Sequence, residues 1–234
     1  MKRYYPPQVE AKRQEALFRF YGFEEQWVHS VYALVARENG QKVPIYVGES
    51  ARPRQRFRSH LKVAYGGRGG STLLQGELRR RIKKESLIEM HGLAGVGDRV
   101  EALSREAGWA RALERRGFRL ANSWPEHRAS SRVAKVPEAR MLSSMSLVEA
   151  HALGVGLLLV CSHCGLTLPL APRDLLVGIG SPKLNRFQSL VGCSECGHIM
   201  RSRLKLPAGV QAKSVITEPS NEEVVVFLAG IGRV

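Results

Sequence analysis

The sequence predicts an α/β protein of the α+β type, with helices flanking a small sheet and a second small domain built around four cysteines. Two β-rich runs flank a turn near residue 39, and amphipathic helical patterns follow them. All four cysteines fall in two Cys-x-x-Cys pairs. We therefore divide the chain into a helical extension over residues 1–27, a first domain over 28–125, a basic linker with a short helix over 126–153, and a metal-stabilised domain over 154–234.

The charge of the chain indicates a polyanionic partner. Its 36 Lys and Arg residues against 21 Asp and Glu residues give a net charge of +15 at pH 7. The excess is concentrated up to Ala150, where 28 basic residues face 16 acidic ones. A basic surface on one domain is typical of nucleic-acid binding, although a merely solvated surface has the same composition. No apolar segment is long enough to span a membrane and no signal-peptide core is present, so we expect a cytoplasmic protein without a membrane partner.

The N-terminal extension is expected to form a helix after Pro6-Pro7, because proline is tolerated in a first helical turn. Leu17, Phe20 and Tyr21 would share one face of this helix. That face would pack against the first domain or, alternatively, the helix would serve as a nucleic-acid arm.

Two strands, His29–Arg37 and Lys42–Gly48, are predicted to form a hairpin, and its loop decides whether Tyr32 and Tyr46 share a sheet face. A two-residue Asn39-Gly40 turn would place Tyr32 opposite Val47 and Tyr46 on the other face. A three-residue loop would place the two tyrosines opposite each other, because side chains alternate with period two. If both tyrosines serve one site, the longer loop or an equivalent bulge is required.

A helix over Pro53–Ala64 is predicted to carry Arg56 and His60 on one face and Phe57 and Leu61 on the core face. Taken alone, Arg56 and His60 also fit ordinary surface positions. After a glycine-rich loop at residues 65–71, a second basic helix is expected over residues 72–85, either simply solvated or following a phosphate backbone. The candidate nucleic-acid contacts are Arg52, Arg54, Arg58, Arg79, Arg80, Lys83 and Lys84.

A third strand is predicted over Ser86–Met90, followed by a glycine-rich turn over residues 92–98 and a helix over Asp98–Arg116. Glu106 lies on the apolar stripe of that helix, three residues before Trp109. A carboxylate on a core-facing stripe is costly unless it is paired or bound to a cation. Glu106 is therefore either a residue at the edge of the stripe or part of a functional site.

The two Cys-x-x-Cys pairs can supply four thiolates in a tetrahedron, which is the arrangement of a structural zinc site; iron and redox thiols are the alternatives. The 28 residues from Gly165 to Gly192 leave room for a helix at Pro182–Leu190, and strands are expected at Leu157–Val160 and Glu223–Leu228. His163 and His198 are not needed as ligands. The predicted zinc ligands are Cys161, Cys164, Cys193 and Cys196, and the domain over residues 154–234 that contains them resembles a zinc ribbon.

Taken together, these residues resemble the GIY-YIG nucleases between about Val28 and Trp124. Ser30-Val31-Tyr32 and Tyr46-Val47-Gly48 are similar to the paired motif of that family, with Ser, Val and Val where the family usually has Gly, Ile and Ile. The further positions in the family's order and approximate spacing are Arg56, His60, Glu106 with Trp109, and Asn122. The resemblance implies a three-stranded antiparallel sheet flanked by helices.

The resemblance also implies roles for these residues. Glu106 would bind one Mg²⁺ or Mn²⁺, and Arg56 would stabilise the charge of the phosphorane-like transition state. Tyr32 would act as general base or relay for the attacking water, which requires a cation to lower its pKa. His60 would orient water or accept the Tyr32 proton.

Tyr46 and Asn122 would position phosphate and metal-bound waters, and the products would be a 5′-phosphate and a 3′-hydroxyl.

The leading hypothesis is a metal-dependent endonuclease acting on double-stranded or branched DNA, with the zinc module aiding DNA binding. Two alternatives remain open at this point, an inactive nucleic-acid-binding protein on the same fold and an RNA-directed nuclease. With one site per chain, a double-strand cutter would need to form a homodimer on DNA or act twice.

Overall fold

A computed structural model describes residues 20–24, 26–66, 72–84, 86–187, 191–205 and 215–233. The chain forms two compact units. The first unit comprises the residues up to Ala134 together with those from Ile216 onward, and the second unit comprises Lys135–Val215. The second unit is therefore inserted into the first. The predicted boundary at residue 154 lies within the second unit, and the C-terminal segment assigned to the zinc domain belongs to the first unit.

The strands are β1 (Phe20–Tyr21), β2 (His29–Glu38), β3 (Gln41–Ser50), β4 (Leu87–Val96), β5 (Gly156–Cys161), β6 (Thr167–Leu170) and β7 (Met200–Lys205). The helices are α1 (Pro53–Gly66), α2 (Leu73–Lys83), α3 (Arg99–Arg115), α4 (Glu138–Ser144), α5 (Leu147–Ala152), α6 (Pro172–Ile179), α7 (Leu184–Phe187) and α8 (Asn221–Gly230), with a 3₁₀ turn at Pro125–His127. Among the described residues no helix is both long and apolar enough to cross a membrane.

The sheet of the first unit has the strand order β1-β4-β2-β3. Strands β2, β3 and β4 are antiparallel, which confirms the predicted three-stranded sheet, and the two-residue β1 adds parallel pairing with β4. Phe20 and Tyr21 are thus strand residues and the helical prediction for them is wrong. The rest of the predicted N-terminal helix, up to residue 19, lies outside the described residues, as does the glycine-rich loop at 67–71.

The β2–β3 hairpin combines a two-residue turn with a bulge. Asn39 and Gly40 have φ values of 50° and 77°, and Glu38 pairs with Gln41, so of the two turns considered the structure has the two-residue one. Further along, Val35 pairs with Pro44 but Leu34 pairs with Tyr46, which leaves Ile45 as the extra residue of a bulge. Tyr32 consequently lies opposite Gly48. The bulge fulfils the condition that both tyrosines share a face.

Apolar side chains cover both faces of this sheet. Tyr32 and Leu34 face a cluster formed with α1 and α2, which includes Phe57 and Leu61 as predicted. The alternate residues of β2 face a second cluster formed with α3 and α8. Its core members include Val31, Ala33, Val35, Trp109, Leu113, Val224 and Leu228.

The glycine-rich stretch after Met90 continues β4 to Val96, so the predicted turn over residues 92–98 is wrong. The glycines allow a close approach rather than a turn. A Cβ atom at Gly95 would lie 2.2 Å from the Trp27 ring, and one at Gly92 would lie 2.6 Å from the Gly22 carbonyl oxygen. Glycine is required wherever a ring or a backbone lies this close to a strand.

Two further predictions in the second half of the chain need correction. The segment predicted to be a linker also contains the 3₁₀ turn and α4. The one short helix predicted within it is found as α5. The predicted strand at Glu223–Leu228 is helical. Ser220 and Glu223 form a reciprocal capping box that begins α8. Val224, Leu228 and Ile231 then bury one helical face.

The C-terminal segment holds the outer side of α3. The Thr217 N–H donates to Ser104 Oγ at 2.9 Å. The Trp109 and Phe227 rings meet edge to face with centroids 5.9 Å apart. Gly108 permits the contact, since a Cβ atom there would lie 2.0 Å from the Thr217 carbonyl oxygen. The helix that carries Glu106 is therefore fixed from behind by residues more than 100 positions later in the sequence.

The second unit contains an antiparallel sheet of order β6-β5-β7. The predicted strand at Leu157–Val160 is confirmed within β5. The 28 residues between the cysteine pairs contain β6, α6 and α7. The helix predicted from Pro182 begins only at Leu184, and residues 188–190 lie outside the described part of the chain.

The packing of Gly108 yields a prediction with a matched control. Gly108→Ala should lower the free energy of unfolding by roughly 1–3 kcal/mol, because the new methyl group overlaps backbone that cannot rotate away. Gly76→Ala, inside α2 with open space around the Cβ position, should raise the free energy of unfolding by up to about 1 kcal/mol through helix propensity. Urea denaturation monitored by circular dichroism measures both. A stabilising effect of Gly108→Ala would show that the C-terminal segment does not pack on α3.

Candidate active site and metal centre

The site is organised by two tyrosine rings that lie over one glycine. The Tyr32 and Tyr46 ring centroids are 6.4 Å apart and the rings are tilted by 51°. A Cβ atom at Gly48 would lie 2.6 Å from Tyr46 Cε1 and 2.7 Å from the Tyr32 hydroxyl oxygen. Only glycine leaves room for both rings, which explains why this residue follows the second tyrosine by two positions.

Helix α1 adds Arg56 and His60 to the tyrosine pair. The Tyr32 hydroxyl lies 3.1 Å from His60 Nε2, and the His60 ring meets the Tyr46 ring edge to face at 5.8 Å. Arg56 lies close enough to the Tyr32 hydroxyl to change its pKa through both charge and hydrogen bonding. The spacing of four residues on one helix thus brings both side chains to Tyr32, as the sequence predicts.

The electrostatics of the site keep Tyr32 protonated and His60 neutral at pH 7. Burial raises the pKa of Tyr32 well above its usual value, Tyr46 and Glu106 raise it further, and Arg56 opposes them. Burial first, and the Arg56 charge second, lower the pKa of His60 to about 3. A guanidinium can only donate, so a Tyr32 hydroxyl that accepts from Arg56 still has its own proton to donate to His60 Nε2 in the tautomer protonated at Nδ1.

Arg56 itself is held in the charged form. Burial works against its charge, but the Tyr32 and Tyr46 hydroxyls and the Glu49 carboxylate together raise the pKa of Arg56 above its usual value. The Glu49 carboxylate also accepts a 2.7 Å hydrogen bond from Arg99. Glu49 is not among the predicted site residues, although its position directly after Gly48 was a usable signal.

Glu106 lies 3% exposed on α3, at the position where the apolar stripe predicted a carboxylate in need of a partner. Its Oε1 atom is 3.5 Å from His127 Nε2. The carboxylate is also near enough to Tyr32 to raise the pKa of that phenol. Arg56 and Glu106 thus both lie within electrostatic range of the Tyr32 hydroxyl.

Asn122 supports the site through the backbone rather than facing it. Its Oδ1 atom accepts from the Val47 N–H at 2.9 Å, and its Nδ2 atom donates to the Val47 carbonyl at 2.8 Å and to His127 Nδ1 at 3.0 Å. Strand β3 is at the edge of the sheet, so the amide satisfies backbone groups that have no neighbouring strand. These three hydrogen bonds hold the amide group on the β3 backbone, and the role of Asn122 in positioning phosphate and water stays a prediction.

The orientation of the Asn122 amide also fixes the tautomer of His127. Since Nδ2 donates, His127 Nδ1 must accept, and the ring proton is then on Nε2, which faces Glu106. A chain of contacts thus runs from the Val47 backbone through Asn122 and His127 to the Glu106 carboxylate. His127 was assigned to a polar linker by the sequence reasoning, and no local pattern marks it as buried.

The predicted nucleic-acid contacts fall into two groups. On the α1 side, Arg52, Arg54 and Arg58 line one groove. On α2, Arg80 pairs with Glu77 at 2.7 Å within the helix, which is typical of a solvated helix surface. Arg79 Nη2 lies 3.4 Å from the Val63 carbonyl, and Lys83 and Lys84 are exposed.

Glu106 offers one carboxylate ligand of the kind that a hard divalent cation prefers. A single carboxylate with remaining positions for water is a common protein contribution to Mg²⁺ binding. The buried charge of Glu106 is costly without compensation, and the site supplies oxygen rather than sulfur atoms as further donors.

The second unit carries a separate candidate metal centre. The Sγ atoms of Cys161 and Cys196 are 3.5 Å apart, as are those of Cys164 and Cys193, and all four lie within 4.8 Å of one another. Four sulfur atoms around one zinc ion would be about 3.8 Å apart. The four cysteines are therefore placed to hold a metal ion, and their geometry is consistent with structural zinc.

The two cysteine turns have equivalent backbone geometry. Gly165 and Gly197 have φ values of 78° and 72°, and their N–H groups donate to the Cys161 and Cys193 carbonyls at 3.0 and 2.8 Å. The glycines thus close both turns.

Comparison of the chain with family models, curated proteins and solved structures finds no significant match.

The lowered pKa of His60 yields a prediction about pH and stability. Unfolded histidine binds a proton near pH 6.5, whereas folded His60 does so only near pH 3. Between these values the unfolded state binds more protons, so stability falls as the pH is lowered. Through His60, the free energy of unfolding of the wild type should fall by about 2 kcal/mol when the pH is lowered from 7 to 5.

Urea unfolding of the wild type and His60→Gln at both pH values measures this contribution. The variant cannot titrate at this position and should lose about 2 kcal/mol less than the wild type. Equal losses in the two proteins would mean that His60 is not buried beside Arg56.

Proposed function

We propose that the first unit is a metal-dependent phosphodiester hydrolase that cuts DNA, acting as an endonuclease of the GIY-YIG type. The observation that supports this proposal is the influence of both Arg56 and Glu106 on the pKa of Tyr32, although the three residues lie on β2, α1 and α3 and are separated by up to 74 positions. An arginine that can donate to two phosphate oxygens, a buried carboxylate and a hydroxyl paired with a histidine are groups that can serve phosphodiester hydrolysis.

Arg56 would bind the scissile phosphate. Its guanidinium presents paired N–H donors that match two phosphate oxygens, and its raised pKa keeps it charged. Because the transition state carries more negative charge on those oxygens than the ground state, this contact would lower the barrier. The neighbouring Tyr46 hydroxyl is close enough to support the same phosphate.

Glu106 would hold one Mg²⁺ or Mn²⁺ ion, with His127 orienting its carboxylate through the contact at 3.5 Å. When bound, such an ion supplies charge stabilisation for the phosphate and its leaving oxygen.

Tyr32 and His60 would move the proton of the attacking water. A free phenolate is disfavoured by burial, so we assign Tyr32 to a relay: its oxygen accepts the proton of water as its own proton passes to His60 Nε2 over 3.1 Å. An anionic phosphate beside Arg56 offsets the charge that lowers the pKa of His60, which makes this transfer easier once substrate is bound.

The charge of the chain supports DNA as the substrate, and the four-cysteine unit would hold structural zinc and aid DNA binding. Cleavage of both strands by a chain with one site would require a homodimer on the DNA or two successive cuts.

A nicking assay tests the proposal. Supercoiled plasmid and a branched oligonucleotide are incubated with protein and Mg²⁺ or Mn²⁺. Arg56→Lys should lower the rate constant for cleavage by at least about 100-fold, because it keeps the charge but loses the fork. Glu106→Gln should lower it by a similar factor at unchanged DNA affinity.

Two controls separate chemistry from folding. Glu101→Gln is on the same helix as Glu106, where its carboxylate pairs only loosely with Arg105 at 3.4 Å, and should cleave at the wild-type rate. Lys62→Ala on α1 serves the same purpose for Arg56. Equal cleavage by wild type and Glu106→Gln would refute the metal assignment. DNA binding without cleavage under any condition would favour a binding protein built on this fold, and selective cleavage of RNA would favour the RNA-directed alternative.

A further inference from the structure

A groove of about 760 Å³ opens beside the candidate active site. Two of its lining residues are the aromatic Phe23 and Trp27, and three are the arginines at the start of α1. Its volume lies in the range of pockets that bind small molecules, which is 300–1,000 Å³. A single nucleotide is within that range.

The two aromatic rings of the groove are closely packed. The Phe23 and Trp27 ring centroids are 5.9 Å apart with an interplanar angle of 57°. The Trp27 ring lies directly on β4, where Gly92 and Gly95 provide the space. Trp27 nevertheless remains half-buried rather than enclosed. A rigid ring with part of its surface open is suited to stacking on a nucleobase.

The groove is also lined by cationic residues. Arg52 directly precedes α1, and Arg54 and Arg58 lie on α1 one helical turn apart. Glu24 also lines the groove, where Gln26 donates to its carboxylate at 2.7 Å. Among the described lining residues, three guanidinium groups outnumber one carboxylate, so this lining is positively charged. Guanidinium groups bind phosphate oxygens and also stack on bases.

The groove and the candidate catalytic residues lie on the same face of the sheet. Gly92 pairs with Tyr32 and Gly95 pairs with Ser30 across the β2–β4 ladder. Because Trp27 contacts the side of both glycines that a Cβ atom would occupy, its ring lies on the Tyr32 face. Ser30, two residues before Tyr32, lines the groove itself. A strand bound at Tyr32 and Arg56 would therefore extend into the groove.

We propose that this groove binds an unpaired nucleotide of the DNA strand being cut, with the base against Trp27 and Phe23 and the phosphates at Arg54 and Arg58. A base inside a duplex is stacked and cannot reach Trp27, whereas a base in a single-stranded flap or at a branch can. The inference rests on the proposed function and makes it more specific. It assigns the enzyme to DNA with a single-stranded segment next to the cleavage position.

Equilibrium binding tests the groove without cleavage. In the Glu106→Gln background, fluorescence anisotropy measures the affinity for labelled oligothymidylate and for a blunt duplex of equal charge at fixed salt. Trp27→Phe and the double variant Arg54→Ala/Arg58→Ala should each weaken oligothymidylate binding by at least fivefold and duplex binding by less than twofold. Lys62→Ala, an exposed cation on the same helix outside the groove, should weaken both DNAs equally and slightly.

Tryptophan fluorescence provides a second readout. Oligothymidylate should quench the emission of the parent protein, and Trp27→Phe should abolish most of that quenching while Trp124→Phe preserves it. Equal losses for single-stranded and duplex DNA would overturn the proposal, because they would indicate general electrostatic attraction alone. A second outcome would also overturn the proposal. If polyglutamate competed as strongly as oligothymidylate, and Trp27→Phe did not change this competition, the occupant of the groove would be an acidic protein segment.

Cleavage assays on flap and duplex substrates separate the two proposals. Selective binding of single strands without any cleavage would leave the groove assignment standing and refute the nuclease. Cleavage of flap and duplex DNA at equal rates, unchanged by Trp27→Phe, would refute the groove assignment and leave the nuclease standing.

Discussion

The contact on which the site depends is the packing of two tyrosine rings over Gly48. A two-residue turn alone would leave Tyr32 and Tyr46 on opposite faces of the sheet. The extra residue Ile45 shifts the register by one, so that Tyr46 joins Tyr32 on the face covered by α1. The absence of a side chain at Gly48 then gives both rings room. Arg56 and His60 reach the tyrosines only because of this bulge, since a one-residue slip would turn one ring toward α3 instead.

The second requirement is that a carboxylate from α3 reaches the same site. The outer edge of β3 provides the connection, because Asn122 binds the Val47 backbone and in turn fixes the tautomer of His127 against Glu106. From behind, the C-terminal segment packs on α3 through Gly108 and Trp109. The orientation of Glu106 is thus set by residues far away in sequence on both sides, as expected for a group that must be positioned before substrate binds.

The sequence predicted the position of a residue correctly where a local periodicity or spacing determines that position. The four-residue spacing of Arg56 and His60 correctly predicted that both side chains lie on one helix face beside Tyr32. Glu106 on its apolar stripe was correctly marked as a carboxylate in need of a partner. The two cysteine pairs correctly predicted a separate four-sulfur cluster. No periodicity in the sequence predicts the bulge. Pro44 is a local sign of it, because proline has no N–H to donate to a strand ladder and is tolerated at bulges. The run Val224–Leu228 is apolar on every side, so its pattern could not distinguish helix from strand. His127 lies in a polar segment, and its burial depends on Asn122 and Glu106, contacts that local periodicity does not specify.

The most direct test of the account is the location of manganese in crystals of the protein grown with a cleaved or non-hydrolysable DNA and soaked in Mn²⁺. Anomalous scattering locates manganese without reference to any assumed mechanism. The account predicts one manganese ion bonded to a Glu106 carboxylate oxygen, with Arg56 donating to the oxygens of the adjacent phosphate and the Tyr32 hydroxyl within hydrogen-bonding distance of the attacking position. A phosphate bound at Arg56 with saturating manganese elsewhere and none at Glu106 would contradict it.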